Sequence, residues 1–320
     1  MIPTRLALAA TLAFAATTAF AQYPTRAVRL IVPFAPGGTT DIIARIVAAK
    51  ISTTLGQPMV VDNRAGAGGI IGAAETAKAA PDGYVLGVAT VSTVATAPAM
   101  QGNVGYDPIT DFTPIINIAA TPNVIEVTAA FPAKDYKGFL AELKKNPGKY
   151  SYASTGTGSI THMQMELFKG QTGTDMVHIP YKGAGPALND VVSGQVPVML
   201  DNLPSSLPFI KAGRIVAIAV ASDKRVADLP NVPTLAEVGL PQVNRMAFYG
   251  IYGPKGLPKE VVAKIHDAVA RVLRDPEVKA RIEETGSVIV ANSPEAFAQQ
   301  IKAEYETYKA VVAQRGLKPE

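Results

Sequence analysis

For nearly its whole length the chain alternates short Val- and Ile-rich runs with longer runs of helical spacing, and that alternation restricts the fold more than any other feature. Ala27–Phe34 reads as a strand. Asp41–Leu55 follows with Ile42, Ile43, Ile46, Val47 and Ile51 at helical spacing, stopped by Gly56. Pro58–Val61 is a second strand, Gly69–Ala80 a helix of small residues and Tyr84–Ala89 a third strand. This β-α-β-α-β order predicts an α/β sheet of doubly wound type, with helices covering its faces.

The middle of the chain repeats the theme. Ile115–Ile118 and Asn123–Val127 read as strands, and Tyr136–Lys145 as a helix ended by Asn146-Pro147-Gly148. Strands Tyr150–Ala153, Met176–Ile179, Val196–Leu200 and Ile215–Ala221 then alternate with helices Ser159–Lys169, Pro186–Ser193 and Ser205–Ala212. Long helices close the chain. Pro258–Leu273 puts Val261, Val262, Ile265, Val269, Val272 and Leu273 on one face, while Asp275-Pro276 and Ser293-Pro294 start the last two. Two α/β sets of similar size with no low-complexity connector predict two lobes around a cleft, each a mixed, mostly parallel sheet flanked by helices.

Two loops stand out within this pattern. Leu30–Val32 runs into Pro33-Phe34-Ala35-Pro36-Gly37-Gly38-Thr39-Thr40-Asp41 and then a helix, and Tyr150–Ala153 runs into Ser154-Thr155-Gly156-Thr157-Gly158-Ser159 and another. The first N–H groups of a helix have no partner within it, and the helix dipole adds partial positive charge there. Each loop therefore reads as an anion site, and the pair as a grip on one anionic ligand from two sides. Gly37 and Gly38 allow close backbone approach or simply make a turn. Asp41 falls in the first helical turn, where the dipole alone favours a carboxylate. It would order the loop or meet an ammonium group, and repel a carboxylate. Thr155, Thr157 and Ser159 bring hydroxyl donors, although Ser159 is also placed as a helix cap.

Export is written at the N-terminus. One basic residue in Met1–Arg5, an apolar Ala-rich run over Leu6–Thr18 and Ala19-Phe20-Ala21 before Gln22 form a secretory signal peptide over residues 1–21. The apolar run is shorter than the ~20 residues that span a bilayer. With no cysteine in the chain, disulfides, thiolate metal sites and cysteine nucleophiles are excluded. The net charge is only +4, scattered without a basic block, so there is no electrostatic footprint for nucleic acid.

Several segments, in order, carry a family likeness. They are Tyr23–Pro33, Phe34–Asp41, Val61-Asp62-Asn63-Arg64-Ala65-Gly66-Ala67-Gly68-Gly69, Ala80-Pro81-Asp82-Gly83-Tyr84, Ser154–Ser159, Ile179-Pro180-Tyr181-Lys182-Gly183 and Leu229-Pro230-Asn231-Val232-Pro233-Thr234. As a set they resemble the Bug-type periplasmic receptors of tripartite tricarboxylate transporters, over essentially the whole mature chain. The resemblance implies a Venus-flytrap architecture, with lobe 1 formed by residues 22–122 and 245–320 and lobe 2 by 123–244. It also implies a monomer that binds a small carboxylate in the periplasm, partly through ordered water, and delivers it to membrane permease subunits. The positions matching the family's ligand loops are Phe34, Gly38, Thr39 and Asp41 in one lobe, and Ser154, Thr155, Gly156, Thr157 and Ser159 in the other. Ala35, Gly37 and Thr40 belong to the same first loop.

Other side chains qualify by position. His162 lies one turn into the helix after the second loop, with Glu166 four residues on; two such groups without a third ligand make a poor metal site. Tyr181-Lys182-Gly183 and Asp201-Asn202 close strands, where the mouth of an α/β sheet lies. Ser92, Thr93 and Thr96 follow the third strand. Enzyme motifs fare worse: G-x-x-x-x-G-K-[ST] and G-x-S-x-G are absent, and Gly156-Thr157-Gly158 and Gly66-Ala67-Gly68 both lack the last glycine of G-x-G-x-x-G. No cofactor or metal is implied. A solute receptor is the reading favoured over a ligand sensor with a signalling partner, and over an exported hydrolase built on Ser159 and His162.

Overall fold

The computed structural model describes residues 23–317, so the signal peptide expected over residues 1–21 lies outside the described residues. The chain forms two sheets. The first has six strands in the order β11-β4-β10-β3-β1-β2, and the second five in the order β7-β6-β8-β5-β9. Strands β1 (Val28–Val32), β2 (Met59–Asn63), β3 (Val85–Thr90) and β4 (Phe112–Thr121) build the first sheet, then β5 (Asn123–Thr128), β6 (Ser151–Ser154), β7 (Val177–Pro180), β8 (Val198–Asn202) and β9 (Ile215–Ala221) build the second. The chain returns to the first sheet with β10 (Ala247–Pro254) and β11 (Val288–Ile289).

Helix α1 (Thr39–Leu55) shows why the pattern was readable. Ile43, Ile46, Val47, Ile51 and Leu55 are buried along one face, and Gly56 in the left-handed region ends it by donating its N–H to Ser52 O. A short turn, Ala67–Gly69, leads into α2 (Ile70–Ala77); α3 (Ala97–Gln101) follows a π-helical turn over Ser92–Thr96. The second sheet carries α4 (Tyr136–Lys145), α5 (Ile160–Thr172), α6 (Ala184–Val192) and α7 (Leu203–Lys211). Helices α8 (Lys259–Leu273), α9 (Pro276–Glu283) and α10 (Pro294–Arg315) return to the first. Among the described residues no helix is long and apolar enough to cross a membrane.

Both sheets are mixed, and the antiparallel share is larger than the sequence alternation implies. Among the described residues, β1 pairs in parallel with β2 and β3, and β6 with β7 and β8. The pairs β3–β10, β10–β4, β4–β11, β5–β8 and β5–β9 are antiparallel. Much of the difference is β10, a central strand that sequence reading passes over. Its run Ala-Phe-Tyr-Gly-Ile-Tyr-Gly-Pro has two glycines and a terminal proline, which dilute a strand signal. Packing demands those glycines: a Cβ on Gly250 would lie 2.3 Å from Phe297 Cζ, and one on Gly253 2.3 Å from Leu257 Cδ1.

Candidate functional site

The two lobes touch along the loops that follow β1, β3, β6 and β7. Ala35 N–H donates to Lys182 O at 2.9 Å, Thr96 Oγ1 to Gly158 O at 2.7 Å, and Ile160 N–H to Ser92 Oγ at 3.0 Å. Approach is closest at glycines. A Cβ on Gly185 would sit 2.2 Å from Pro36 O, and one on Gly68 2.4 Å from Thr157 O. This is a closed cleft whose walls meet backbone to backbone.

Between the walls lies a small pocket that the surrounding atoms nearly fill. The first lobe lines it with Phe34, Gly38, Thr39, Thr40, Thr90, Val91, Ser92, Ala247 and Tyr249. The second contributes Thr155, Ile160, Ala184 and Asn202. No charged side chain is among these residues.

What faces the pocket instead is helix ends. Gly38 is the N-cap of α1 and Gly183 the N-cap of α6, and neither helix has a side-chain cap. The two starts oppose each other closely, since a Cβ on Gly38 would lie 3.2 Å from Ala184 Cβ and 3.4 Å from Ala184 N. Their first N–H groups and aligned dipoles suit an anion.

The two-loop expectation thus divides. The first loop is where the reading put it, with Phe34, Gly38, Thr39 and Thr40 on the pocket wall. Ala35 is spent on the inter-lobe bond to Lys182. Gly37, at φ +86°, and Asp41 stand just behind the wall. Asp41 Oδ2 accepts from Gly37 N–H, while its Oδ1 accepts from Arg45 Nε and Asn63 Nδ2. Burial works against this carboxylate, yet the bonds from Arg45, Gly37 and Asn63 outweigh it and hold its pKa below the ordinary value. Asp41 therefore orders the loop.

The second loop brings only Thr155, with Ile160 beyond it, to the pocket. Ser154 Oγ pairs with His178 Nε2 at 2.7 Å and accepts from Gly156 N–H. Gly156 is wedged against Gly68, and Thr157 O accepts from Gln101 Nε2. Ser159 caps α5 by accepting from His162 N–H, and the first N–H of that helix goes to Ser92. The start of α5 is therefore largely engaged by the protein's own groups. Among the described residues the second-lobe helix starts without a side-chain cap are those of α6 and α7, and α7 has its Leu203 and Ser205 N–H groups taken by Pro122 O and Thr39 Oγ1.

His162 is buried, accepts Gly158 N–H on Nδ1 and stacks on the His178 ring at 4.0 Å. Ser159 Oγ contacts the His162 backbone N–H and Thr161 Oγ1, while the His162 ring takes Gly158 N–H on Nδ1. Glu166 is held by Tyr152 and Lys169, and no metal-binding cluster occurs among the described residues. Tyr181 donates to Asp190 Oδ2 away from the pocket. Asp201 lies behind the wall under Asn202, bonded to Ser205 and Ser206. Of the three side chains after β3, Ser92 lines the pocket, Thr96 ties the lobes and Thr93 bonds back to Thr90.

Sequence reasoning missed Thr90, Val91, Ile160, Ala184, Ala247 and Tyr249. Tyr249 and Ala247 sit on the unrecognised strand β10. The signal at Ala184 was the strand-end run Tyr181-Lys182-Gly183, where Gly183 at φ +147° begins α6.

Residues 43–317 match the model of the tripartite tricarboxylate transporter family receptor. The chain belongs to that family. Protein BugT of Bordetella pertussis is 34% identical over 310 residues, covering 97% of this chain and 95% of that one. Among solved structures, one described as a periplasmic transporter is 53% identical with a TM-score of 0.91, over 92% of this chain and 99% of that one. Rpa4515 of R. palustris, solved with adipate, is 37% identical with a TM-score of 0.89, over 93% and 100%. MatC of Rhodopseudomonas palustris, solved with malate, is 34% identical with a TM-score of 0.87, over 91% and 100%. Receptors of this family are periplasmic binding proteins, and this chain has their two-lobed α/β fold.

Proposed function

We propose that this receptor binds a small carboxylate, a di- or tricarboxylate or related organic acid, between its lobes and delivers it to the permease subunits of a tripartite transporter. One observation carries the reading. The uncapped starts of α1 and α6 oppose each other across a pocket without charged side chains, in a family with members solved holding adipate and malate. Backbone N–H groups and the hydroxyls of Thr40, Ser92 and Thr155 would hold the anion with charge-assisted bonds. A ligand touching both walls favours the closed arrangement over an open one, and the closed form is what a permease reads. Residues 22–122 and 245–320 would move as one lobe and 123–244 as the other, in a monomer released to the periplasm by cleavage after Ala21.

The experiment is a thermal-shift screen against a carboxylate panel, followed by calorimetry on the hits. At least one carboxylate should raise the melting temperature of the wild type, and Gly38→Leu should abolish the shift. A panel with no response in the folded wild type would overturn the proposal. N-terminal sequencing of the exported protein reads the cleavage site directly.

A further inference from the structure

Behind the pocket wall the second lobe holds two carboxyl groups, neither with a counter-charge. Glu126 on β5 and Asp201 on β8 are both fully buried. Ser206 Oγ lies 2.9 Å from Glu126 Oε1 and 2.9 Å from Asp201 Oδ2, and Ser205 Oγ lies 2.6 Å from the same Asp201 oxygen. Among the described residues Glu126 Oε2 is buried without a hydrogen-bond partner, and beyond its serines Asp201 has only the Asn202 backbone N–H. A hydroxyl has one proton to give, so Ser206 cannot satisfy two carboxylates at once. A proton on one of the two carboxyls resolves this: Ser206 then accepts from one and donates to the other.

The serine relay does not end inside the lobe. Ser205 Oγ is also 2.9 Å from Thr39 Oγ1, and Ser205 N–H donates to the same Thr39 oxygen at 3.2 Å. Thr39 is the first residue of α1, belongs to the opposite sheet and lines the pocket. Closure thus puts a first-lobe hydroxyl over the second-lobe serine that serves Asp201. An open form would withdraw it and let water reach Ser205.

We propose that closing the cleft takes up a proton at the Glu126–Asp201 pair, so that the closed form holding the carboxylate is favoured as pH falls. The proposal rests on the receptor reading above and adds a regulation of the same site. Two effects act in the same direction. Covering Ser205 removes hydration from an ionised Asp201, and an anion in the pocket would meet that charge across Asn202 and Tyr249. Burial pushes Asp201 up to about 6 despite the bonds from its serines, and pushes Glu126 well above the ordinary range, helped by the Asp201 charge.

The surroundings supply no compensating cation. Glu126 faces Asp201 from β5 and the Tyr249 phenol from β10; α7 and α1 present the hydroxyls of Ser205, Ser206 and Thr39. Other titratable groups of the helices against β8 and the pocket are engaged elsewhere. On α5, His162 is held by Gly158 and Glu166 by Lys169. Asp190 of α6 is held by Tyr181, and Asp41 of α1 by Arg45.

The absence of cysteine makes the test direct. Lys78→Cys and Gln195→Cys place one fluorophore on each lobe. Without ligand, energy transfer should rise as pH falls from about 8 to about 5, and a flat profile would overturn the proposal. Calorimetry with malate at about pH 6.5, in buffers of different ionisation enthalpy, should show net proton uptake on binding. Affinity should rise about tenfold across the same pH range, as a one-unit difference in pKa between open and closed forms gives. Asp201→Asn or Glu126→Gln should abolish the uptake; equal uptake in both variants, or none in the wild type, overturns the proposal. Failure of the receptor reading looks different: no member of a carboxylate panel binds at any pH, while the ligand-free profile still decides the proton linkage.

Discussion

Gly185 offers the cleanest way to separate closing from folding. It is the second residue of α6, and its backbone sits in a region open to any L-residue, so alanine fits the helix and even improves its intrinsic propensity. Across the cleft, however, the added Cβ would lie 2.2 Å from Pro36 O, 3.4 Å from Pro36 C and 3.7 Å from Gly37 Cα. Ordinary contact requires the two backbones to separate by roughly 1 Å, and overpacking of that kind costs about 1–3 kcal/mol. The cost falls on the closed form alone, because Pro36 and Gly185 belong to different lobes. Gly185→Ala should therefore weaken carboxylate binding by about fivefold to 150-fold, while the ligand-free melting temperature holds or rises. Gly170→Ala is the matched control, since the same substitution within α5 meets nothing within 4 Å. Calorimetry on both variants reads the difference. Wild-type affinity in folded Gly185→Ala would refute the argument that binding requires the backbone contact seen here.

Three further outcomes follow from individual bonds. Ser92→Ala removes the acceptor for Ile160 N–H across the cleft and should weaken ligand binding by about fivefold, worth ~1 kcal/mol, with little change in ligand-free stability. Asn123→Ala leaves Asn202 Nδ2 and Gln164 Oε1 without their buried partner, and should lower stability by about 2 kcal/mol in urea unfolding. Asp41→Asn should cost about 2 kcal/mol near neutral pH. The Asp41 pKa is lowered in the folded protein, so its contribution is present above the ordinary carboxyl pKa and lost as pH falls through the folded value. Unfolding curves of wild type and Asp41→Asn should accordingly converge in strong acid, and a constant gap at all pH values would contradict the electrostatic account.

Sequence legibility varied with how local the deciding physics was. Helix α1 was readable because its buried face, its glycine stop and its preceding loop are written in consecutive residues. Strand β10 was not, because Gly250 and Gly253 answer to Phe297 and Leu257, distant in sequence or across a turn. The loop Ser154–Ser159 is more instructive. Ser154–Ser159 has the composition of an anion cradle, yet Ser159, Thr161 and Ser92 already take up N–H groups there, the last from the other lobe. Whether a helix start is open to a ligand depends on who else reaches it, and that is a tertiary fact.

A pocket without Lys or Arg can still suit an anion. A basic side chain in a closing cleft must shed its water on every cycle, and an unpaired buried charge is costly when no ligand is bound. Helix starts carry their partial charge through backbone groups fixed by the fold, with no side chain to reorder. Gly38 and Gly183 keep those starts bare, because a serine or aspartate at either N-cap would turn a side-chain oxygen onto the donors meant for the ligand. On the proposed binding mode, glycine at both caps serves recognition as well as close approach. Gly38→Ser tests this: the new hydroxyl should cap α1 and hold or raise ligand-free stability while weakening carboxylate binding, and a variant that binds as tightly as wild type would show that α1 does not hold the anion.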